Sequence, residues 1–286
     1  MEKLESYELY RELIKKSKLA YKNIFTNMDF LKTDLESYIK AGKMYYEKNQ
    51  AGVLFFLDEG KYYKLYMCVN GQIEFKIMPE NKKILIRNMY KKGQNISARS
   101  EVDKRLVESG FIKKGLLMQA KVETKAVVER HNQIEKYMRF METKGYRCVA
   151  ANMDMVTEIE EMLVDNTIVE DYDLSHTFEE MQDEIKRGAY LCILDKENQI
   201  CAASIAFVKN NIAKGMAVAV REQFRMNGFA PVLLYERCKI LHERNIQYLQ
   251  GWVLNDNIAS LKYHKKMGYK FTDKYADEWL LGKKED

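Results

Sequence analysis

Arg225-Met-Asn-Gly228-Phe-Ala230 is the stretch of this sequence whose residue types point most directly to chemistry. It falls between a predicted strand and a predicted helix, where a glycine lets the backbone turn tightly and come close to a ligand. The first helical turn then offers unpaired N–H groups and the positive end of its dipole, a combination suited to a pyrophosphate. Pro231 fits an early helical position, which has no intrahelical use for an N–H. The same residues also fit a plain solvated turn. Other chemistries lack their residues: there is no Ser-His-Asp set, HExxH, Walker segment or G-x-G-x-x-G after a strand. His131, His176, His242 and His264 show no metal-ligand spacing, so no metal is expected. Cys68, Cys148, Cys192, Cys201 and Cys238 are odd in number and never arranged as CxxC, which predicts reduced, mostly buried thiols.

The elements that must position this segment follow from periodicity and punctuation. Arg147–Ala150 reads as a strand, and Met155–Asn166 and Phe178–Arg187 read as helices. Tyr190–Leu194, Ile200–Val208 and Ile212–Val220 read as strands joined by the turns Asp195-Lys-Glu-Asn and Lys209-Asn-Asn. Two further helices, Pro231–Arg244 and Asn257–Met267, are separated by the strand Tyr248–Leu254, and a closing strand starts at Tyr269. The order is a strand, two helices, a meander, then helix, strand, helix, strand.

That order, the R-x-x-G-x-A segment and Asn257-Ile-Ala-Ser260-Leu-Lys-Tyr-His264-Lys-Lys-Met-Gly268-Tyr269 together resemble the GNAT family of acyl-CoA transferases. The resemblance covers most of the second half, about Tyr146 to Leu281. It implies a mixed α/β (α+β) fold with a mostly antiparallel sheet flanked by helices, and an acyl-CoA, acetyl-CoA above all, as cosubstrate. It implies that the backbone of Arg225, Met226, Asn227, Gly228, Phe229 and Ala230 holds the coenzyme A pyrophosphate. By the same resemblance Met216, Ala217, Val218, Ala219 and Val220 form the strand whose exposed main chain meets the pantetheine arm, and Asn257 and Ser260 line the coenzyme. A buried core strand would look the same in sequence.

Many members carry a tyrosine seven residues after the asparagine, proposed to protonate the leaving thiolate; here the position holds His264. Either His264 supplies that proton, which a near-neutral pKa permits, or water does. An attacking amine must also lose a proton. The acidic segment Glu170-Asp171-Tyr-Asp173-Leu-Ser-His176 joins the two helices that usually border the acceptor, so Glu170 or His176 is a candidate relay. An acidic surface loop with a helix cap explains the same residues.

The chain of 286 residues is long enough for two domains, with a boundary read at Gly145 from a helix stop and a change of charge. Residues 1–145 carry 29 Lys and Arg against 19 Asp and Glu, a net of +10; residues 146–286 carry 18 against 23, a net of −5. The first half is read as helices, then a hairpin of Gly52–Leu57 with Tyr62–Val69, a strand Lys83–Arg87, and a long helical stretch Val122–Lys144. Arg105-Leu-Val-Glu-Ser-Gly110-Phe111 echoes Gly268-Tyr269, so a degenerate second copy in tandem is expected, with no R-x-x-G-x-A counterpart. No apolar run is long enough for a membrane span and Met1–Ser6 holds no apolar signal core, so a cytoplasmic protein is expected. The expected partners are an acyl-CoA and an amine, small molecule or protein, with neither a membrane nor a nucleic acid; a homodimer is compatible with this reading. The competing functions are a non-catalytic acyl-CoA-binding module and, from the basic first half and related tandem folds, a tRNA-dependent aminoacyl transferase.

Overall fold

A computed structural model describes residues 1–28, 30–60, 62–75, 82–94, 96–166, 182–183, 185–209 and 211–282. The chain divides into two compact units, Met1–Leu117 with Asp273–Asp286, and Met118–Thr272. This division differs from a boundary at Gly145. The stretch Val122–Lys144, read as one helical run, belongs to unit 2, and the last strand belongs to unit 1.

Unit 1 begins with β1 (Glu2–Lys3), α1 (Tyr7–Ala20), β2 (Phe25–Thr26) and α2 (Lys32–Lys40). It continues with β3 (Met44–Asn49), β4 (Gly52–Asp58), β5 (Tyr62–Val69), β6 (Lys83–Lys91) and α3 (Ile96–Glu108). β7 (Ile112–Glu123) then leads into unit 2. The strand order is β1-β3-β4-β5-β6, followed by β13 (Lys270–Leu281), with β2 paired separately to β5. All pairings are antiparallel except β5 with β6, which are parallel. The unbroken apolar run Val53–Leu57 is buried throughout because both sheet faces are covered. Leu54 and Phe56 face one core with α3 residues Val102 and Leu106; Val53, Phe55 and Leu57 face another with Leu13 of α1 and Leu35 of α2. Burying each such side chain contributes roughly 1.5–3 kcal/mol.

The register of β13 on β6 is marked by charge. Arg87 lies opposite Glu278 and donates from Nε to its Oε1 at 2.7 Å, and that carboxylate is fully buried. Asn88 lies opposite Asp277, which Lys113 approaches to 2.6 Å. On α3, burial first and then the charge of Asp277 push the Asp103 carboxyl up from 3.8 to about 6. A carboxyl raised on folding contributes stability that is fully present below its unfolded pKa and is lost as pH rises through its folded one. Unfolding by urea should therefore show stability falling between about pH 4 and pH 6, and Asp103→Asn should flatten that fall. An unchanged slope in the variant would remove Asp103 as its source.

Unit 2 contains α4 (Thr124–Val128), α5 (His131–Lys144), β8 (Arg147–Ala150) and α6 (Met153–Asn166). The meander β9 (Tyr190–Leu194), β10 (Ile200–Lys209) and β11 (Ile212–Val220) follows, then α7 (Phe229–Glu243), β12 (Tyr248–Leu254) and α8 (Ile258–Lys266). The run Val122–Lys144 is a strand end and two helices because Thr124 is pinned as if in a sheet. Its N–H donates to the Gln247 carbonyl at 3.0 Å and its Oγ1 to the Ile246 carbonyl at 2.7 Å. Gly145 ends α5 in the left-handed region at φ 77°, where a side chain would be strained. The sheet runs β12-β11-β10-β9-β8, antiparallel except for β11 with β12. α7 buries Val232, Leu233, Leu234, Cys238 and Leu241 against Leu191 and Ile193 of β9. Among the described residues no helix is long and apolar enough to cross a membrane.

The two units repeat one plan. Along the chain, each unit's meander is followed by a parallel strand and a helix, and then by a further strand: β7 after α3, and β13, which belongs to unit 1, after α8. α3 and α8 end alike: Gly110 has φ 85° and Phe111 N–H donates to the Leu106 carbonyl at 3.0 Å, while Gly268 has φ 86° and Tyr269 N–H donates to the His264 carbonyl at 2.9 Å. They differ before the parallel strand. Residues 221–247, with a loop and α7, separate β11 from β12, whereas only residues 70–82 separate β5 from β6.

Candidate functional site

β11 and β12 pair only at Ala213 with Leu249 and Lys214 with Gln250, and then part. Beyond that point β11 remains hydrogen-bonded to β10 on its other edge, from Ala217 opposite Ile205 to Val220 opposite Ala202. The backbone of Met216–Val220 thus faces β12 without a partner strand among the described residues. Its side chains supply no reactive group, and Val218 is half exposed.

The chain leaves β11 through a short turn at Glu222–Phe224. Arg221 anchors the turn, donating from Nε to the Ile200 carbonyl at 2.7 Å and pairing with Glu158 at 2.6 Å. Met226 then takes φ 67° and Gly228 φ 80°, on either side of Asn227. Left-handed backbone at a residue other than glycine is strained and is concentrated at functional sites. The Met226 side chain is 99 % exposed, so packing does not explain it. α7 starts at Phe229 with no side-chain cap, leaving its first N–H groups unpaired beside this turn. Successive N–H groups in such a turn and the helix dipole both favour an anion.

Two glycines have a further reason to be glycine. A Cβ on Gly228 would lie 2.1 Å from the ring of Tyr137, which α5 packs against it, and a Cβ on Gly268 would lie 2.5 Å from the Arg130 guanidinium. Gly228 is therefore required by its φ and by Tyr137, and the space beside it is not open to a ligand. Lys266 reaches the Tyr137 hydroxyl at 3.5 Å and Lys136 stands 4.9 Å over its ring. Nothing in the sequence pairs Tyr137 with Gly228, since they lie on elements far apart in the chain. Beneath the turn, Tyr146 packs against Phe224 and Phe229 with ring centroids 6.1 and 5.0 Å away.

α8 is fixed at both ends. Asn257 is its N-cap, accepting at Oδ1 from the Ser260 N–H at 2.9 Å, and this accounts for the asparagine and its spacing. Tyr263 donates its hydroxyl to the Ala230 carbonyl at 3.0 Å, and burial raises its pKa, so it is a structural tie between α8 and the first turn of α7. His264 lies one position on, with Nδ1 2.7 Å from the Ser260 carbonyl and 3.3 Å from Ser260 Oγ. A nitrogen that close to a carbonyl oxygen must carry the proton, leaving Nε2 as the acceptor. Burial lowers the His264 pKa below 6.5, against a smaller opposing effect of that hydrogen bond. The ring is thus neutral near pH 7. That state suits a proton acceptor, whereas giving a proton to a thiolate needs the imidazolium that burial disfavours.

Glu170 and His176, with Asp171 and Asp173, lie outside the described residues. The cysteines are free, and burial pushes the Cys148 and Cys238 thiols up to about 12, so neither is a nucleophile. Among the described residues no group of three His, Cys, Asp or Glu side chains is placed to hold a metal.

The profile of a family described as GNAT acetyltransferase matches residues 35–276. No curated protein matches the sequence. Among solved structures, a GCN5-related N-acetyltransferase from Sphaerobacter thermophilus is similar at TM-score 0.51 and 12% identity, over 82% of this chain and 82% of that one. A GCN5-related glucosamine N-acetyltransferase region of a fungal multi-domain GH3 β-N-acetylglucosaminidase gives TM-score 0.53 at 11% identity, over 80% of this chain and 31% of that one. At these identities the likeness is one of fold.

Proposed function

Because this chain belongs to the GNAT acetyltransferase family, we propose that unit 2 binds an acyl-coenzyme A, acetyl-CoA first among them, and transfers the acyl group to an amine. The observation that carries the reading is the edge of β11 over Met216–Val220 that no strand pairs among the described residues, followed by the uncapped start of α7. The amides of a pantetheine arm would complete that edge as a strand does. The pyrophosphate would then meet the N–H groups between Arg225 and Ala230, where the helix dipole and the Arg225 side chain favour it.

A neutral amine attacks the thioester carbonyl; the new C–N bond forms, the C–S bond breaks, and the amine's proton ends on the coenzyme A thiolate by way of a side chain or water. His264 in its neutral form is the proton acceptor of this scheme, through Nε2, in place of the donor role that the family's tyrosine suggests. Asn257 and Ser260 act on the site by holding the start of α8 and the His264 ring. Unit 1 is a second copy of the plan whose sequence has no R-x-x-G-x-A counterpart, which makes the arrangement tandem.

Coenzyme A should raise the melting temperature of the wild-type chain, because it binds only the native state. Arg225→Glu removes the Arg225 Nε hydrogen bond to the Val220 carbonyl at 3.4 Å and puts a negative charge beside the pyrophosphate, so in the folded variant donor affinity should fall more than about tenfold, or about 1.4 kcal/mol. Equal thermal shifts in both proteins would place the donor elsewhere. Acetyl-CoA with a panel of amines should release free thiol; binding without release across the panel would favour a non-catalytic donor-binding module.

A further inference from the structure

In unit 1, β5 and β6 are the counterparts of β11 and β12. They pair in parallel at Tyr62–Lys64 with Lys83–Leu85 and then part in the same way. Here the opening is filled. Thr26 and Phe25 of β2 pair with Cys68 and Val69 on the edge of β5 that β4 leaves free. Between β2 and the β6 contact, the side chain of Asn27 takes over: Nδ2 donates to the Leu65 carbonyl at 3.2 Å and to the Arg87 carbonyl at 3.4 Å. Its Oδ1 accepts from the Met67 N–H at 2.7 Å. β6, the Asn27 carboxamide and β2 thus occupy that edge in turn along β5. Asn27 is only 3 % exposed and Phe25 only 5 %.

We propose that β2 and Asn27 permanently close the unit 1 counterpart of the donor groove, so that one chain takes up one acyl-CoA. This rests on the donor reading of unit 2. The carboxamide bridges two strands with its amide nitrogen and satisfies a third backbone group with its oxygen, so it stands where a ligand's amide would have to stand. A pantetheine arm could enter only by displacing β2 and leaving Leu65, Met67 and Arg87 backbone groups buried without partners. Sequence offers no sign of the bridge itself, because Asn27 lies 40 residues before Met67 and belongs to no motif.

Calorimetric titration of coenzyme A into the full chain should give one equivalent bound, and Arg225→Glu should weaken that whole signal together. Two equivalents, or a fraction that keeps wild-type affinity in Arg225→Glu, would overturn the inference. No binding at all by the wild type would instead sink the donor reading of unit 2, and the inference with it. Asn27→Ala should lower the melting temperature by roughly 5 °C or more while coenzyme A stoichiometry and affinity stay within about twofold of wild type, a difference of about 0.4 kcal/mol or less. Asn27→Asp, of the same size, should be at least as destabilising, because a carboxylate would face two carbonyl oxygens. If Asn27→Asp melts like the wild type, the side chain fills space without bridging the strands and the closure is refuted.

Discussion

His264→Ala should lower kcat by about 10²-fold, the usual scale for losing a general acid–base group, with the coenzyme A dissociation constant nearly unchanged. The ring is held by the Ser260 carbonyl and by packing against Tyr269 at 4.6 Å, not by any donor-loop residue, so its removal should spare donor binding. The pH profile separates the two proton roles. If neutral His264 accepts the proton, kcat in the wild type should rise with pH through an apparent pKa below 6.5, the direction in which burial moves this group. A rate that falls as pH rises through that range would mean that the imidazolium is the working form and restore the donor role. Wild-type turnover in the alanine variant would remove His264 from the mechanism. Stability carries the same sign: a histidine whose pKa is lowered on folding contributes stability present above about pH 6.5 and lost as pH falls through the folded value.

Arg237→Ala should destabilise unit 2 by about 3–5 kcal/mol, the range for truncating a large buried side chain and orphaning its hydrogen-bond partners. Arg237 sits inside α7, 3 % exposed, and its guanidinium donates to the carbonyls of Gly188, Ala189 and Ser204, the last two at 2.8 and 3.0 Å. These carbonyls belong to the chain entering β9 and to β10, so one side chain fixes α7 onto the meander. Burial pulls its pKa down to about 10, which still leaves it protonated at pH 7. Arg237→Lys should recover little, because a single ammonium cannot reach the same set of carbonyls in the plane of the guanidinium fork. Urea unfolding would measure both variants. A loss under about 1 kcal/mol for the alanine variant would mean that water replaces the guanidinium at these carbonyls.

Much of the fold was legible in the sequence because its signals are local. The run Val53–Leu57 announces a strand covered on both faces, and the meander β9-β10-β11 is set by alternating apolar runs and the turns between them. Gly145, Gly110 and Gly268 mark helix ends because each occupies the left-handed region that a helix stop requires. The GNAT resemblance rested on the same kind of signal, two short segments in order, and the family profile spans both halves of the chain. The run Val122–Lys144 misled because it lacks glycine and proline and has helical spacing, while the hydrogen bonds that hold Thr124 come from residues Ile246 and Gln247.

Local spacing and residue type therefore determined most of the order of strands and helices, the family, and the position of the glycine turn between β11 and α7. Tertiary structure alone decided the rest, because each remaining feature depends on groups distant in the chain. Arg87 and Glu278, which register β13 on β6, are 191 residues apart. Tyr137 claims the space beside Gly228, and Asn27 bridges two strands it does not adjoin in sequence. The protonation state of His264 follows from its burial and from one carbonyl 2.7 Å away. Periodicity reports which face of an element is apolar; it carries no information on which distant polar group will meet it there.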